Sequence, residues 1–465
     1  MWLLLSVLSR TRTLAGLYSS GVNTVTGLPN EHPLVAIPLK PESPTDGSPW
    51  PPGAEQHGPY QHGGIFPAVN GGGGMIAHPP IVVGVQPGHA TGPSEPGYMK
   101  TETGCSSLSS FESMAGTLAP SEYSIHSDPF HERNYPGDPI ILSYFGASRN
   151  LSESGVVPLQ TQTYLNMLGA GLQRKANIES WRSTNIWAML MWQLNEIWPT
   201  GGWGSIEYGT PVKGQVVGGR WKPLHHMMAQ SAYTDVTAAC GVAKVTTMDA
   251  SDQATGPALC YIRNDLPTPF TGTVTVEALQ LSSGKSVLLN TLDAKLPAGG
   301  GSLGFFCAMA GEGSPISPTA SAPSCSDFSA LFNASGCSRL GGADCVLRVL
   351  VKDKGDTSNR GAATVSNNVL PLVKPSELQL PHATVSHTVS SAAAGSHSVG
   401  LSLKSTATAL FVWLSTAEHG RFSDNAFLLL PGEEKQISFE SFLEAGTSST
   451  ALSSSLRVEH LGMYL

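Results

Sequence analysis

The chain has 465 residues, 40% of them hydrophobic and only 13% charged, with 51 glycines, 34 prolines and a formal net charge of −8. That length accommodates more than one domain, and the charged fraction falls well below the usual quarter. The acidic balance and the lack of a Lys/Arg-rich run argue against a nucleic-acid partner, and no apolar stretch reaches the ~18 residues of a membrane-spanning helix.

The N-terminal run Met1 to Leu8 is apolar but short, with no basic residues before it. It reads as the start of a truncated chain rather than as a signal peptide. Residues 20 to 100 are rich in Gly and Pro. The stretch Pro38 to Gly53 and the tract Gly71 to Gly74 read as long loops. Within this region, Glu55 to His62 places His57 and Tyr60 three residues apart, where they can hydrogen-bond a substrate or orient a carboxylate. The spacing of His57, His62, His78 and His89 fits no compact zinc motif, so no metal is expected. No Walker loop, GxSxG elbow or HExxH pair occurs, so NTPase, serine hydrolase and zincin readings lack support, and no cofactor is expected.

Lys100-Thr101-Glu102-Thr103-Gly104 places a carboxylate just before a glycine. At a strand end such a Glu can act as a nucleophile, although a solvated surface Glu is the alternative for any single carboxylate. The apolar segment Pro139 to Phe145 predicts a short buried strand. Leu165, Leu168, Leu172 and Ile178 recur near helical spacing and predict an amphipathic helix from Leu159 to Arg182. Ile186 to Gln193 then predicts another strand. Strand, helix, strand is the rhythm of a parallel sheet or barrel.

That last strand runs into Met191-Trp192-Gln193-Leu194-Asn195-Glu196-Ile197-Trp198-Pro199 and on to Trp203-Gly204-Ser205-Ile206-Glu207-Tyr208. Indole faces beside an amide, an Asn and carboxylates suit a sugar, whose C–H surfaces stack while its hydroxyls hydrogen-bond. Core packing alone explains Trp198 and Trp203. It explains Trp192 and Asn195 less well, since a buried Asn needs partners.

After His226 the pattern turns to short strands with Pro, Gly and Asn turns. Residues 231 to 311 predict a β-sandwich, with a hairpin turn at Leu281 to Lys285. A Gly/Ser/Pro/Cys-rich linker or insertion follows at 312 to 343. Seven short segments from Val346 to Phe439 predict a second, immunoglobulin-like sandwich at 344 to 465, with a Ser-rich loop at 444 to 456. Of the seven cysteines, Cys325, Cys337 and Cys345 crowd together, so a disulfide among them is expected. Sequons at Asn150 and Asn333 lean toward a lysosomal or secreted route.

These motifs together resemble the β-mannosidase branch of glycoside hydrolase family 2. Met191 to Pro199 is similar to that branch's WQLND-x-WP signature. Trp203 to Tyr208 and Arg220-Trp221-Lys222-Pro223-Leu224-His225 are similar to its W-S-S-I-D-Y and R-W-K-P-L-H continuation, here separated by an extra loop at Gly209 to Gly219. Thr101-Glu102-Thr103-Gly104 resembles the family's S-E-F/Y-G, departing from it at Thr101 and Thr103. His57-Gly58-Pro59-Tyr60 falls where the family has an H-x-x-aromatic strand end, and Gly420 to Phe427 resembles its last-sandwich motif.

The resemblance implies the C-terminal part of a (β/α)8 TIM barrel at 1 to 230, followed by two immunoglobulin-like sandwiches. It implies a retaining exo-β-mannosidase acting on terminal β-mannose of oligosaccharides or glycoproteins. Glu102 would be the nucleophile, with His57, Tyr60, Trp192, Asn195 and Trp203 as substrate contacts. The family's acid/base Glu lies in an Asn-Glu pair upstream of the nucleophile. Asn30-Glu31 reads as a loop and is a poor match, so the chain alone is expected to be weak or inactive. A family 2 exo-β-glucosaminidase and a non-catalytic sugar-binding fragment are the alternatives. A glycan is the expected partner, with no nucleic acid and no membrane.

Overall fold

The computed structural model describes residues 55–57, 98–134, 137–146, 149–183, 186–212, 215–242, 258–309, 326–327, 331, 333–337, 343–354, 364–392 and 395–465. The N-terminal part is built on β1 (Glu55–His57), β2 (Tyr98–Thr103) and β3 (Ile186–Met191), paired in that order and all parallel. Parallel neighbours cannot be joined by a tight turn and need a crossover. Between β2 and β3 it consists of α1 (Phe111–Met114), α2 (Asp128–Arg133), α3 (Asp138–Phe145) and the 27-residue α4 (Val156–Arg182). Leu159, Leu165, Leu168, Leu172 and Ile178 of α4 are buried in one core with Met114, Phe130, Ile140 and Tyr144. In this part the described parallel strands number three, an open sheet rather than a closed barrel; elsewhere β10 and β11 also pair in parallel. Most of the remaining strands are antiparallel.

Pro139 to Phe145 is helical, not the strand predicted for it. Ile140, Ile141, Tyr144 and Phe145 are buried, the i, i+1, i+4, i+5 pattern of one helix face. A seven-residue apolar run does not distinguish strand from helix by itself. Asp138-Pro139 decides the matter, since proline in the first turn lacks only an N–H that would have no helical partner.

A short hairpin, β4 (Thr210–Val212) and β5 (Gln215–Val217), occupies the loop between the two tryptophan-rich motifs. Helix α5 (Pro223–His226) then runs directly into a π-helical turn at Met227–Ala232.

The first sandwich begins at β6 (Val236–Val242), β7 (Ala258–Asn264), β8 (Phe270–Gln280), β9 (Ser286–Leu296), β10 (Gly301–Met309) and β11 (Ser326–Asp327). It is completed by β12 (Cys345–Asp353) and β13 (Thr364–Pro371). Its sheets run β11-β10-β7-β6 and β13-β12-β8-β9. The predicted boundary at 344 is therefore misplaced. β12 pairs with β8 from Cys345↔Gln280 to Asp353↔Gly272, so two strands assigned to the last sandwich belong to the first. In sequence, 312 to 343 falls between β10 and β12, both strands of this sandwich. Gly/Ser-rich composition marks irregular chain and cannot tell an insertion between strands from a linker between domains. The hairpin turn at Leu281 to Lys285 joins β8 to β9, with Gly284 at φ 69°.

The second sandwich comprises β14 (Val385–Val389), β15 (Ser398–Ser405), β16 (Ala409–Ser415), β17 (Gly420–Phe422), β18 (Phe427–Leu429), β19 (Glu434–Ser441) and β20 (Arg457–Glu459). Its sheets are β14-β15-β19-β17 and β18-β16-β20. Every residue of β16 is buried. Ala409, Val412 and Leu414 face the sandwich core, while Leu410, Phe411 and Trp413 join the core built on α4. Tyr164 of α4 confirms the junction: its ring lies 5.1 Å from that of Trp413, and its hydroxyl donates to Phe411 O at 2.9 Å. A Ser-rich loop was predicted at 444 to 456, but Ser449–Ser455 is helix α6. Ser448 caps it by accepting from Ala451 N at 3.0 Å, and Leu452 anchors it in the core.

Disulfides join Cys240 to Cys260 across β6 and β7, and Cys337 to Cys345. Cys307 is disulfide-bonded as well.

Candidate active site at the strand ends

The parallel sheet brings three of the sequence-predicted segments to one edge. His57 of β1 is in register with Glu102 of β2, and Thr103 with Met191 of β3. One residue further, Trp192 N donates to Thr103 O at 2.7 Å. The carboxyl ends of the three strands thus lie side by side, where α/β folds commonly carry ligands. Glu102 is partly buried, and Trp192, joined to Gln193 by a cis peptide bond, is 44% exposed.

Gly104, two residues after Glu102, leaves room for the Trp192 carbonyl and the Trp203 indole. A Cβ at position 104 would lie 2.6 Å from Trp192 O and 2.9 Å from Trp203 Cδ1. Only glycine lets both indole-bearing segments pass so near β2. Lys100, two residues before Glu102, is buried beneath the site with Nζ 4.7 Å from the Trp181 ring centroid, and burial lowers its pKa to about 8.

The placement of the other expected residues is uneven. His57 is described in its backbone only, and Tyr60, like Glu31, lies outside the described residues. Asn195 is exposed. Its Nδ2 donates to Glu196 O at 2.9 Å, and its backbone forms a bridge with Ile206.

The two carboxylates of the tryptophan-rich motif face inward. Glu196 is fully buried, its Oε1 accepting from Lys222 Nζ at 2.7 Å and from Gly202 N at 3.0 Å. Lys222 Nζ also donates to Ser107 O at 3.0 Å and Ser107 Oγ at 3.2 Å. Glu207, 2% exposed, accepts from Ser110 N at 2.6 Å and Ser110 Oγ at 2.9 Å. It also accepts from Ser113 Oγ, so it holds the start of α1. Sequence composition had suggested carboxylates reaching for sugar hydroxyls. Position relative to the core, which composition does not encode, makes these two structural.

Further buried polar groups fix the same segments. Arg174 of α4 donates through Nε to Cys105 O at 3.1 Å and through Nη2 to Trp203 O at 2.7 Å, tying Glu102's strand to the tryptophan loop. Ser205 Oγ lies 2.8 Å from His225 Nδ1. Burial, aided by the Arg174 and Arg421 charges, lowers the His225 pKa to about 4. Burial likewise lowers His226 to about 3.

The second sandwich grips this scaffold. Arg220 donates to Ser113 Oγ at 3.0 Å on one side and to Thr416 O at 2.8 Å on the other, and also to Ala417 O. Arg421 stacks over Trp221 at 4.5 Å. Glu112 of α1 pairs with Arg457 of β20 through two hydrogen bonds, at 3.0 and 3.1 Å. Arg220 and Lys222 were visible in the sequence only as parts of a signature. Apart from Glu196, 26 residues before Lys222, their partners lie more than a hundred residues away, so no local pattern announces their roles.

Among the described residues, no cluster of His, Cys, Asp and Glu is arranged to hold a metal ion. A cavity of about 350 Å³ sits between Tyr233, Asp235, Phe270 and Asp353, at the start of the first sandwich and away from the strand ends.

Residues 380–463 match the mannosidase immunoglobulin-fold domain. Over 266 residues the chain is 30% identical to Beta-mannosidase A of Aspergillus niger, covering 54% of this chain and 23% of that protein. It is 28% identical over 257 residues to Beta-mannosidase A of Neosartorya fischeri, with the same coverage. The chain thus spans about a quarter of the length of the curated relatives it matches. The crystal structure of the β-D-mannosidase from Dictyoglomus thermophilum shares its fold with a TM-score of 0.53 at 18% identity, covering 78% of this chain and 37% of that one. The exo-β-D-glucosaminidase CsxA does so at 0.51 and 15%, covering 88% and 45%.

The sandwiches and the parallel strand ends thus share their fold with these two glycosidase structures. In sequence, about half of the chain is similar to β-mannosidases, and its last sandwich matches their immunoglobulin-fold domain.

Proposed function

We propose that the chain carries the nucleophile and the aromatic wall of a retaining exo-β-mannosidase. The observation that carries this reading is the register of the parallel sheet, in which His57 stands opposite Glu102 and Thr103 opposite Met191, the residue before Trp192. In this reading β1 to β3 are the closing strands of a (β/α)8 barrel whose carboxyl ends form the sugar subsite.

Glu102 attacks the anomeric carbon of a terminal β-D-mannose and forms a glycosyl-enzyme, which water then hydrolyses. A second carboxyl about 5 to 5.5 Å away first protonates the leaving oxygen and then activates that water. Glu196 and Glu207 cannot serve, because both are committed to buried contacts. The family resemblance implies an acid/base Glu in an Asn-Glu pair upstream of Glu102, and Asn30-Glu31 is a poor match to it. Trp192 and Trp203 provide stacking faces, and His57 and Tyr60 complete the subsite. Without that acid, turnover of unactivated substrates falls by roughly 10²–10⁴-fold.

Mannose rather than glucosamine is favoured because the curated sequence relatives at 27–30% identity are β-mannosidases, whereas the likeness to CsxA concerns the fold. The test compares aryl β-mannosides and aryl β-glucosaminides carrying a good leaving group, which bypasses the need for an acid. Preferential cleavage of the mannoside, abolished by Glu102→Gln, is expected. Preference for the glucosaminide would reassign the sugar. Binding of mannose that survives Glu102→Gln, with no turnover of any aryl glycoside, would favour a non-catalytic module.

A further inference from the structure

We propose that Asn150 is a site of N-linked glycosylation. Two independent observations carry this. The first is the local structure of Asn150-Leu151-Ser152, in the loop between α3 and α4. Asn150 and Ser152 are exposed, while Leu151 between them is 7% exposed and anchored in the core. Ser152 N donates to Asn150 Oδ1 at 3.0 Å, so the side chain folds back over its own sequon in an Asx turn. Asn150 Nδ2 has an exposed contact to Glu153 Oε1 at 3.3 Å. The acceptor nitrogen and the sequon hydroxyl are thus presented together on an extended surface segment held from below. A glycan there would displace no core contact.

The second observation is the state of the cysteines. Cys240–Cys260 and Cys337–Cys345 are closed, and Cys307 is disulfide-bonded too. Disulfides persist in the secretory route and on the cell exterior and are rare in the cytosol. The compartment that closes these bonds is the one in which sequons meet an oligosaccharide donor.

The chemistry is a group transfer from a lipid pyrophosphate-linked oligosaccharide. Asn150 Nδ2 forms a bond to the anomeric carbon, the bond from that carbon to the pyrophosphate oxygen breaks, one amide proton goes to base, and the lipid pyrophosphate leaves. The second sequon is a poorer acceptor. Asn333-Ala334-Ser335 lies in a helical turn, Ser335 is 2% exposed, and Cys337 just beyond is tied to Cys345.

The test is expression of the full chain behind a secretory leader in eukaryotic cells. Peptide N-glycosidase treatment in oxygen-18 water then marks each released site as a labelled aspartate for peptide mapping. Label at residue 150 is expected. Asn150→Gln should remove it, with the mobility shift, while leaving the melting temperature unchanged. A secreted, disulfide-bonded protein unlabelled at 150 would overturn the proposal. If secretion fails, translation of wild type and Asn150→Gln into microsomes reads the same site without requiring export. Absence of an Asn150-dependent shift there counts equally against it.

Discussion

Lys222 Nζ lies 2.7 Å from Glu196 Oε1, and neither side chain has any exposed surface. The pair joins the loop after β3 to the chain leading into α5, and through Ser107 it reaches the segment that follows Glu102. A buried pair of this kind costs desolvation and contributes chiefly by fixing geometry. Removing one partner strands the other charge. Lys222→Met should therefore destabilise the protein by about 3–5 kcal/mol. The double variant Lys222→Met/Glu196→Leu should recover much of that loss. Denaturant unfolding of the three proteins checks both statements.

Gly104 lets the Trp192 carbonyl and the Trp203 indole pack directly against the chain just after Glu102. Gly104→Ala forces a methyl group against Trp192 O and Trp203 Cδ1, at 2.6 and 2.9 Å. Overpacking of this order costs about 1–3 kcal/mol. The expected outcome is a lowered denaturation midpoint and a changed tryptophan fluorescence spectrum, since Trp192 and Trp203 must shift. An unchanged spectrum would mean the loop relaxes elsewhere.

The second sandwich is coupled to α1 by the Glu112–Arg457 pair, with side-chain exposures of 9% and 19%. A double-mutant cycle with Glu112→Gln and Arg457→Gln should give a coupling energy of 0.5–3 kcal/mol, above that of a solvent-exposed pair. Coupling near zero would show that β16 packing alone holds the sandwich in place.

The buried histidines set an acid limit. His225 and His226 have folded pKa values depressed by burial to about 4 and 3 from 6.5. A depressed value means that the unfolded chain binds more protons than the folded one between the two values. Their contribution is therefore fully present above pH 6.5 and is lost as pH falls from there toward 4 and 3. His226→Phe should reduce the slope of unfolding free energy against pH between 4 and 6 by up to about one proton.

Much of the fold follows from local pattern. The period of Leu165, Leu168 and Leu172 specifies α4, and the apolar run from Ile186 specifies β3. What was not legible depends on distant partners. Ile140 and Ile141 suit either a strand or a helix, and the start at Asp138-Pro139 decides between them. Val346 to Val351 reads as a strand in any sandwich, and only pairing with β8 assigns it to the first. At the site, Glu102 and Trp192 stand 90 residues apart in sequence, and it is the β2–β3 pairing that makes them neighbours. Glu196 and Glu207 look as available as Glu102 in the sequence. Lys222, 26 residues after Glu196, and Ser110, 97 residues before Glu207, show that they are not.

The central claim, that Glu102 is a glycosyl nucleophile, is tested most directly by covalent trapping. A 2-deoxy-2-fluoro-β-mannosyl donor with a strongly activated leaving group needs no acid catalyst, and the fluorine slows hydrolysis of the adduct. Mass spectrometry of the digested protein should find one fluoromannosyl group on Glu102, absent from Glu102→Gln. Stoichiometric labelling of a different carboxylate, or no labelling while the protein is folded and binds mannose, would contradict the account.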